Sequence, residues 1–357
     1  MEPVNLFEFE ELAKQKLPAM AFDYYYGGSC DEITLKENRT AYNRIRLKQR
    51  ALANVGTRDL STAVLGEKLS FPVLTAPMAF QCMAHPTGEI GITKACSSEG
   101  IINILSTLST TAVEDVVKAS STPVWFQLYV YRDREATREL VQRVVSAGCK
   151  ALVVTVDAPL LGKRERDVHN NFILPEELEA KNMSAALSGA GKSHEEGSEL
   201  AGYFASELDP SLRWKDVEWF KSIAGNLPVM LKGITCGEDA ELAVEHGVDG
   251  IIVSNHGGRQ LDTCRATIDI LPEVIVAAEG KIEILIDGGI RRGTDIIKAL
   301  ALGAKAVLLG RPMLWGLAID GENGARKVLQ ILRKEFDLAM ALCGCRNVKE
   351  ISRGLIV

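Results

Sequence analysis

Eight short apolar runs rich in β-branched residues punctuate this chain, and an amphipathic stretch with helical spacing follows each of them. That repetition constrains the fold more than any other feature. The runs are Phe71–Met78, Ile102–Thr107, Val124–Tyr129, Ala151–Asp157, Val229–Gly233, Gly250–Asn255, Ile282–Gly288 and Ala306–Arg311. Their continuous apolar character predicts strands covered on both faces. The helical stretches are Glu89–Glu99, Ala112–Ala119, Glu135–Ala147, Trp214–Ile223, Glu238–His246, Thr267–Ala278, Thr294–Ala301 and Ala325–Leu342. Such alternation predicts an α/β fold whose parallel strands close into a (β/α)8 TIM barrel. An open doubly wound sheet is the competing arrangement, but it lacks the GxGxxG turn expected between an early strand and helix.

At 357 residues the chain has room for two average domains or for one large barrel. No linker-like segment interrupts the rhythm, so a single domain over residues 1–357 is expected. Two pieces lie outside the alternation. Residues 1 to about 65 read as a polar helical cap over one barrel face, with an aromatic cluster at Phe22, Tyr24, Tyr25 and Tyr26. The connection between the fourth and fifth strands is the longest, and Ser184–Ala205 is rich in Ser, Gly, Ala and charges. That composition predicts a mobile active-site loop rather than a separate domain.

Composition narrows the partners. Hydrophobic residues at 46% and charged residues at 25% are ordinary for a soluble enzyme. A net charge of −6 gives no reason to expect nucleic acid or an anionic membrane. No apolar run reaches membrane-spanning length. The eight cysteines are scattered without a CxxC pair or Cys/His metal spacing, so no metal site is expected. Cys343-Gly344-Cys345, the one close pair, reads as reduced structural thiols. Met1-Glu2-Pro3-Val4-Asn5 has no secretory pattern and Gly354-Leu355-Ile356-Val357 is not an SKL-type address, so the cytoplasm is the expected compartment.

The densest chemistry lies at Gly250-Ile-Ile-Val-Ser-Asn-His-Gly-Gly-Arg-Gln-Leu-Asp262. Here a strand runs directly into Ser254, His256 and Arg259. An imidazole exchanges protons near neutral pH, and a guanidinium binds a carboxylate through its bidentate fork. Proton acceptor plus carboxylate clamp points to chemistry on a small organic acid.

Other strand ends add to this inventory, and barrel enzymes work where those ends converge. They carry Pro77, Met78 and Ala79, then Ser106, Gln127 with Tyr129, Thr155 with Asp157, and Lys232. The seventh and eighth strands end in Asp287-Gly288-Gly289-Ile290-Arg291 and Gly310-Arg311. Loops after these two strands frequently bind phosphate, with glycine backbone N–H groups as donors and Arg291 and Arg311 neutralising the dianion. With Lys232 at the fifth strand, the residues alone leave open a phosphorylated substrate, pyridoxal phosphate or FMN.

Taken as longer strings, Ser254-Asn-His-Gly-Gly-Arg-Gln-Leu-Asp262, Asp287-Gly-Gly-Ile-Arg-Arg-Gly-Thr-Asp295, Trp125-Phe-Gln-Leu-Tyr129 and Thr155-Val-Asp157 resemble the FMN-dependent (S)-2-hydroxy-acid oxidases. The similarity runs from Ala13-Lys-Gln-Lys-Leu-Pro18 to Met340-Ala-Leu-Cys-Gly-Cys-Arg346, nearly the whole chain. It selects FMN over pyridoxal phosphate. It implies oxidation of a 2-hydroxy acid to a 2-oxo acid, with O2 reduced to H2O2, by a homotetramer or homo-octamer. By resemblance His256 is the base, Asp157 orients it, and Tyr129 bonds the substrate hydroxyl. Arg164 and Arg259 would clamp the substrate carboxylate, with Tyr24 donating a hydrogen bond. Pro77, Met78, Ala79, Ser106, Gln127, Thr155, Lys232 and Ser254 would hold the flavin ring and ribityl chain. Asp287, Gly288, Gly289, Arg291, Gly310 and Arg311 would hold the ribityl end and phosphate.

The chain also departs from the plant-type glycolate oxidases of that family. It has Met78 where they have Thr, Leu108 where they have Trp, and Phe204 where they usually have a smaller residue. This set resembles cyanobacterial-type L-lactate oxidases, so a preference for L-lactate with glycolate still accepted is expected. A glycolate oxidase proper is one alternative. A dehydrogenase that hands electrons to a quinone or cytochrome is another, but Lys192, Glu195, Glu196 and Glu199 make the long connection an unsuitable membrane anchor. A catalytically silent FMN- or phosphate-binding protein is disfavoured by the complete set of reactive side chains.

Overall fold

A computed structural model describes residues 2–182 and 199–357. Three helices open the chain: α1 (Leu6–Lys16), α2 (Ala19–Tyr26) and α3 (Ile33–Thr40). Asn5 caps α1 by accepting from the N–H groups of Phe7 and Glu8. A hairpin, β1 (Thr62–Val64) and β2 (Glu67–Leu69), follows. Its turn residues Leu65 and Gly66 both have positive φ, 48° and 81°, the requirement of a type I′ turn.

The barrel is β3 (Val73–Thr75), β4 (Ile102–Ser106), β5 (Val124–Leu128), β6 (Leu152–Thr155), β7 (Val229–Ile234), β8 (Gly250–Val253), β9 (Glu283–Ile286) and β10 (Ala306–Leu309). All eight pair in parallel, and β10 returns to β3 to close the ring. Between them run α4 (Gly88–Glu99), α5 (Val113–Ala119), α6 (Arg134–Ala147), then the short α7 (Glu165–His169), α8 (Glu199–Glu207) and α9 (Asp216–Ala224). Then come α10 (Gly237–Glu245), α11 (Thr267–Ala278), α12 (Gly293–Ala301) and α13 (Arg311–Leu342). Strand residues are buried nearly throughout, as the apolar runs require, and Trp125 and Phe126 are among the largest side chains in the core.

Each expected strand exists, but the ladders stop two or three residues early at most of the C-terminal ends. Met78, Tyr129, Asp157, Asn255, Gly288 and Arg311 all lie beyond the last paired residue. The polar strand-end residues therefore belong to the βα loops.

Three expectations need correction. The first 65 residues are not a wholly helical cap. Regular α-helix ends at Thr40, and the β1–β2 hairpin lies at the opposite end of the barrel, where Leu65 N–H donates to Glu283 at the start of β9 (2.8 Å). The expected loop Ser184–Ala205 falls outside the described residues over 184–198, while residues 199–205 belong to α8. The last helix starts at Arg311 rather than Ala325. Asp320 and Gly321 break it (Gly321 φ 52°, ψ −133°), and the glycines at 316, 321 and 324 conceal its first segment from a periodicity reading.

Candidate active site

The βα loops and α2 surround a cleft at the C-terminal end of the barrel, where barrel enzymes carry their sites. Nearly every residue expected at a site lines it. Tyr24, Met78, Leu108, Tyr129, Arg164, Phe204, His256 and Arg259 do so, as do Pro77, Ala79, Ser106, Gln127, Thr155, Lys232, Asp287, Gly288, Gly289, Arg291, Gly310 and Arg311. Asp157 and Ser254 stand one layer behind, touching the cleft only through their partners.

His256 sits in a left-handed turn, with φ of 57°, 66° and 75° over His256, Gly257 and Gly258. Glycine makes the second and third steps without strain, and the imidazole is thereby directed into the cleft. Asp157 Oδ1 lies 2.9 Å from His256 Nδ1. A carboxylate only accepts, so Nδ1 carries the proton and Nε2 keeps its lone pair. Tyr129 Oη is 3.3 Å from that Nε2. Burial lowers the His256 pKa, Asp157 opposes the shift, and Lys232 adds to it, so the imidazole is neutral at pH 7. Burial would raise the Asp157 carboxyl, but facing His256 and Lys232 hold it below its usual range. Burial pushes the Tyr129 phenol well up, keeping it a neutral donor.

Arg164 and Arg259 approach from different loops. Arg164 is buried and its Nε has no partner. Arg259 is held by Nη1 on the carbonyls of Tyr24 (2.6 Å) and Gly27 (2.9 Å). Its guanidinium lies over the Tyr24 ring at 5.2 Å, and that ring stacks on Phe172 at 4.4 Å. Burial and then Arg259 lower the Arg164 pKa, and the buried Asp167 carboxylate, 4.0 Å from Arg164 Nη1, offsets them only in part.

A second polar group runs across the middle strands. Lys232 Nζ donates to Ser254 Oγ (3.0 Å), which donates to Asp287 Oδ2 (2.9 Å) and also receives His256 N–H (3.1 Å). Gln127 Nε2 donates to Thr155 Oγ1 (2.9 Å), and Ser106 Oγ donates to Gln127 Oε1 (3.2 Å). These bonds fix a row of donors and acceptors along the cleft.

The far end offers an anion site. Helix α13 opens there with no side-chain cap, leaving its first N–H groups without a side-chain acceptor. Gly310 precedes it at φ −101°, and a Cβ there would meet only Ala76 Cβ at 3.6 Å. Its ψ of −101° lies outside the α and β regions and by itself favours glycine, and the space where a Cβ would stand stays open toward the cleft. Arg291 Nε and Asp287 Oδ1 are buried without partners. An unpaired guanidinium N–H beside a helix N-terminus suits a phosphate, and an unpaired carboxylate oxygen suits a polyol hydroxyl. This donor set fits FMN.

Arg311, expected to neutralise a phosphate, lines the cleft and is at the same time held by backbone carbonyls. Its Nε, Nη1 and Nη2 donate to the carbonyls of Tyr25 (2.9 Å), Gly257 (3.0 Å) and Gly27 (3.1 Å). It ties the cap to the His256 turn and brings a positive charge to the cleft wall. Tyr25, which lines the cleft and donates to the Phe80 carbonyl (2.6 Å), was missed by sequence reasoning, as was the N-terminus of α13. The helix start had a signal: Pro312 directly after Gly310-Arg311 is a first-turn proline. Tyr25 had none beyond its place in an aromatic cluster.

Among the described residues no group of His, Cys, Asp and Glu could hold a metal ion, and the eight cysteines are free thiols. No described helix is long and apolar enough to cross a membrane.

Comparison with known proteins agrees with this geometry. The FMN-dependent dehydrogenase family profile matches residues 13–357. An L-lactate oxidase of Nostoc sp. is 53% identical over 99% of this chain and 98% of that protein. Glycolate oxidase 3 of Arabidopsis thaliana is 51% identical over 99% of this chain and 95% of its own. The crystal structure of a mandelate oxidase with (S)-4-hydroxymandelic acid superposes with a TM-score of 0.94 at 40% identity, covering 99% of this chain and 98% of that one. The chain therefore belongs to the FMN-dependent 2-hydroxy-acid oxidases.

Proposed function

We propose that this single-domain enzyme oxidises short (S)-2-hydroxy acids with L-lactate preferred over glycolate, and that O2 is the terminal acceptor. The observation that carries the lactate reading is the apolar wall of Met78, Leu108 and Phe204, all buried, in the same cleft as His256 and the two arginines. Phe204 comes from α8 and packs edge-on against Tyr129, with ring centroids 5.3 Å apart. A methyl substituent on C2 gains contact with such a wall, while the hydrogen of glycolate does not.

Arg164 and Arg259 bind the carboxylate, and Tyr24 donates to it from the cap. Binding an anion offsets the mutual repulsion of the buried Arg164 and the half-buried Arg259. Tyr129 donates to the substrate hydroxyl and steadies the charge that develops there. His256 Nε2 accepts the substrate proton, and Asp157 stabilises the imidazolium that results. FMN, when bound, supplies the two-electron acceptor and passes the electrons on to O2. Lys232 would place a positive charge beside the flavin ring, and Pro77, Met78, Ala79, Ser106, Gln127, Thr155 and Ser254, which line or brace that part of the cleft, would hold it. Asp287, Gly288, Gly289, Arg291, Gly310 and Arg311 would hold the ribityl end and phosphate. We assign the enzyme to the cytoplasm and to a homotetramer or homo-octamer, which cell fractionation and light scattering test directly.

The deciding experiment uses purified holoenzyme, yellow from its flavin, in air. The expected outcome is a higher kcat/KM for L-lactate than for glycolate, with one H2O2 formed per 2-oxo acid. A higher kcat/KM for glycolate would make the enzyme a glycolate oxidase, which a 51% identical relative bears as its name. Turnover that needs an added quinone or cytochrome would remove O2 as acceptor.

A further inference from the structure

Glu89 lies in the first turn of α4 and is completely buried, yet it has no place in the reaction described above. A carboxylate removed from water is retained only where donors replace the solvent. Its donors come from two different barrel loops. From the β3 loop, Gln81 N–H donates to Oε1 (3.1 Å). From the β4 loop, Thr110 N–H donates to Oε1 (2.9 Å), and the hydroxyls of Thr110 and Thr111 both reach Oε2 (2.8 Å each). Thr110 Oγ1 in turn accepts from Cys82 N–H (3.1 Å), back in the first loop.

These loops carry the substrate wall. Met78 leads into Gln81, whose side-chain amide donates to the Met78 carbonyl (3.3 Å). Leu108 precedes Thr110 by two residues, and its carbonyl accepts from Phe80 N–H (2.9 Å). Phe80 is held in the left-handed region at φ 54°, costly for a bulky residue unless its surroundings impose it. Phe80 is thus bonded to Leu108 on one side and, through Tyr25, to the cap on the other.

We propose that Glu89 is a positioning residue for substrate selection: it fastens the β3 and β4 loops together, so that Met78 and Leu108 meet the substrate as one rigid wall. The proposal rests on the reading that this wall faces the C2 substituent. Glu89→Gln keeps the shape of the side chain but turns an acceptor into an NH2 donor, so the Thr110 and Thr111 hydroxyls lose the Oε2 to which they donate and the clasp between the loops is weakened.

The test is steady-state kinetics of FMN-loaded Glu89→Gln and Thr111→Val on L-lactate and glycolate, beside the wild type. The expected result in Glu89→Gln is a shift of the ratio of the two kcat/KM values toward one by at least about threefold, a part of the ~10–200-fold that a methyl group can command. The change enters mainly through KM for the preferred acid, with the visible flavin spectrum unaltered. Thr111→Val moves the ratio the same way by less. A ratio unchanged in both variants overturns the proposal, even if their melting temperatures fall, because that leaves Glu89 a merely structural role. If Glu89→Gln does not fold, Thr111→Val decides alone. The wild-type ratio tests the lactate reading separately: a value below one removes that reading, while a shift in the variants still supports the proposal.

Discussion

The Asp157–His256 pair is the single contact on which proton transfer most depends. The imidazole must be neutral to accept a proton, so kcat/KM rises with pH through the His256 pKa and is level above it. Burial lowers that pKa and the Asp157 carboxylate raises it. The acid limb of wild-type activity should therefore lie below the ordinary imidazole value of about 6.5. Asp157→Asn removes the opposing charge, so the pKa falls further and the limb moves to lower pH. The same change removes the charge that stabilises the imidazolium, and kcat/KM at the plateau should fall by about a hundredfold or more. A pH–rate profile of the variant checks both effects. A limb that stays in place or moves upward would show that Asp157 does not act on His256 as a charge.

Between elements, the main device is the seam joining α3 to the loops after β8 and β9. Asn38 and Asn255 exchange side-chain amide bonds, 2.8 Å in each direction, and both are buried. Asn255 Oδ1 also receives Gly258 N–H (3.2 Å), so the seam supports the turn that presents His256. Asn38→Ala would take one of two partners from each Asn255 group, leaving Oδ1 with Gly258 N–H and Nδ2 with the Arg265 carbonyl, and would strip the buried Thr267 N–H of its acceptor, costing about 1–3 kcal/mol of stability. It should also lower kcat more than it raises KM, since the arginine clamp is held elsewhere. Thermal melting with lactate kinetics on the FMN-loaded variant is the check, and a stability loss with kcat intact would confine the seam to folding. None of this was legible in the sequence, because Asn38 and Asn255 are 217 positions apart and no periodicity links them. What could be read was local: the eight strands, whose apolar runs need cover on both faces, and the strand-end residues that a barrel must bring together. The β1–β2 hairpin and the first segment of α13 escaped for the opposite reason. Three-residue strands carry too little alternation to register, and glycines mask helical spacing.

Over the whole molecule, the cap, the His256 turn and α13 converge on a cleft crowded with cations. Burial, followed by the repulsion of neighbouring Arg259, lowers the pKa of both Arg164 and Arg311, and burial lowers that of Arg291. Arg311 also holds α2 to the β8 loop through three carbonyls, so strain among these charges is carried directly into the packing of the cap. An anion in the cleft relieves it. Removing FMN should therefore lower the unfolding midpoint, and inorganic phosphate should recover part of the loss. By linkage, FMN at about 100 times its Kd adds about 2.7 kcal/mol, enough to move the midpoint by several degrees. Scanning calorimetry of apo- and holoenzyme, with phosphate compared against chloride at equal ionic strength, measures this. Equal midpoints for the two forms, or phosphate doing no more than chloride, would mean that the cationic cleft is already balanced by the protein's own carboxylates.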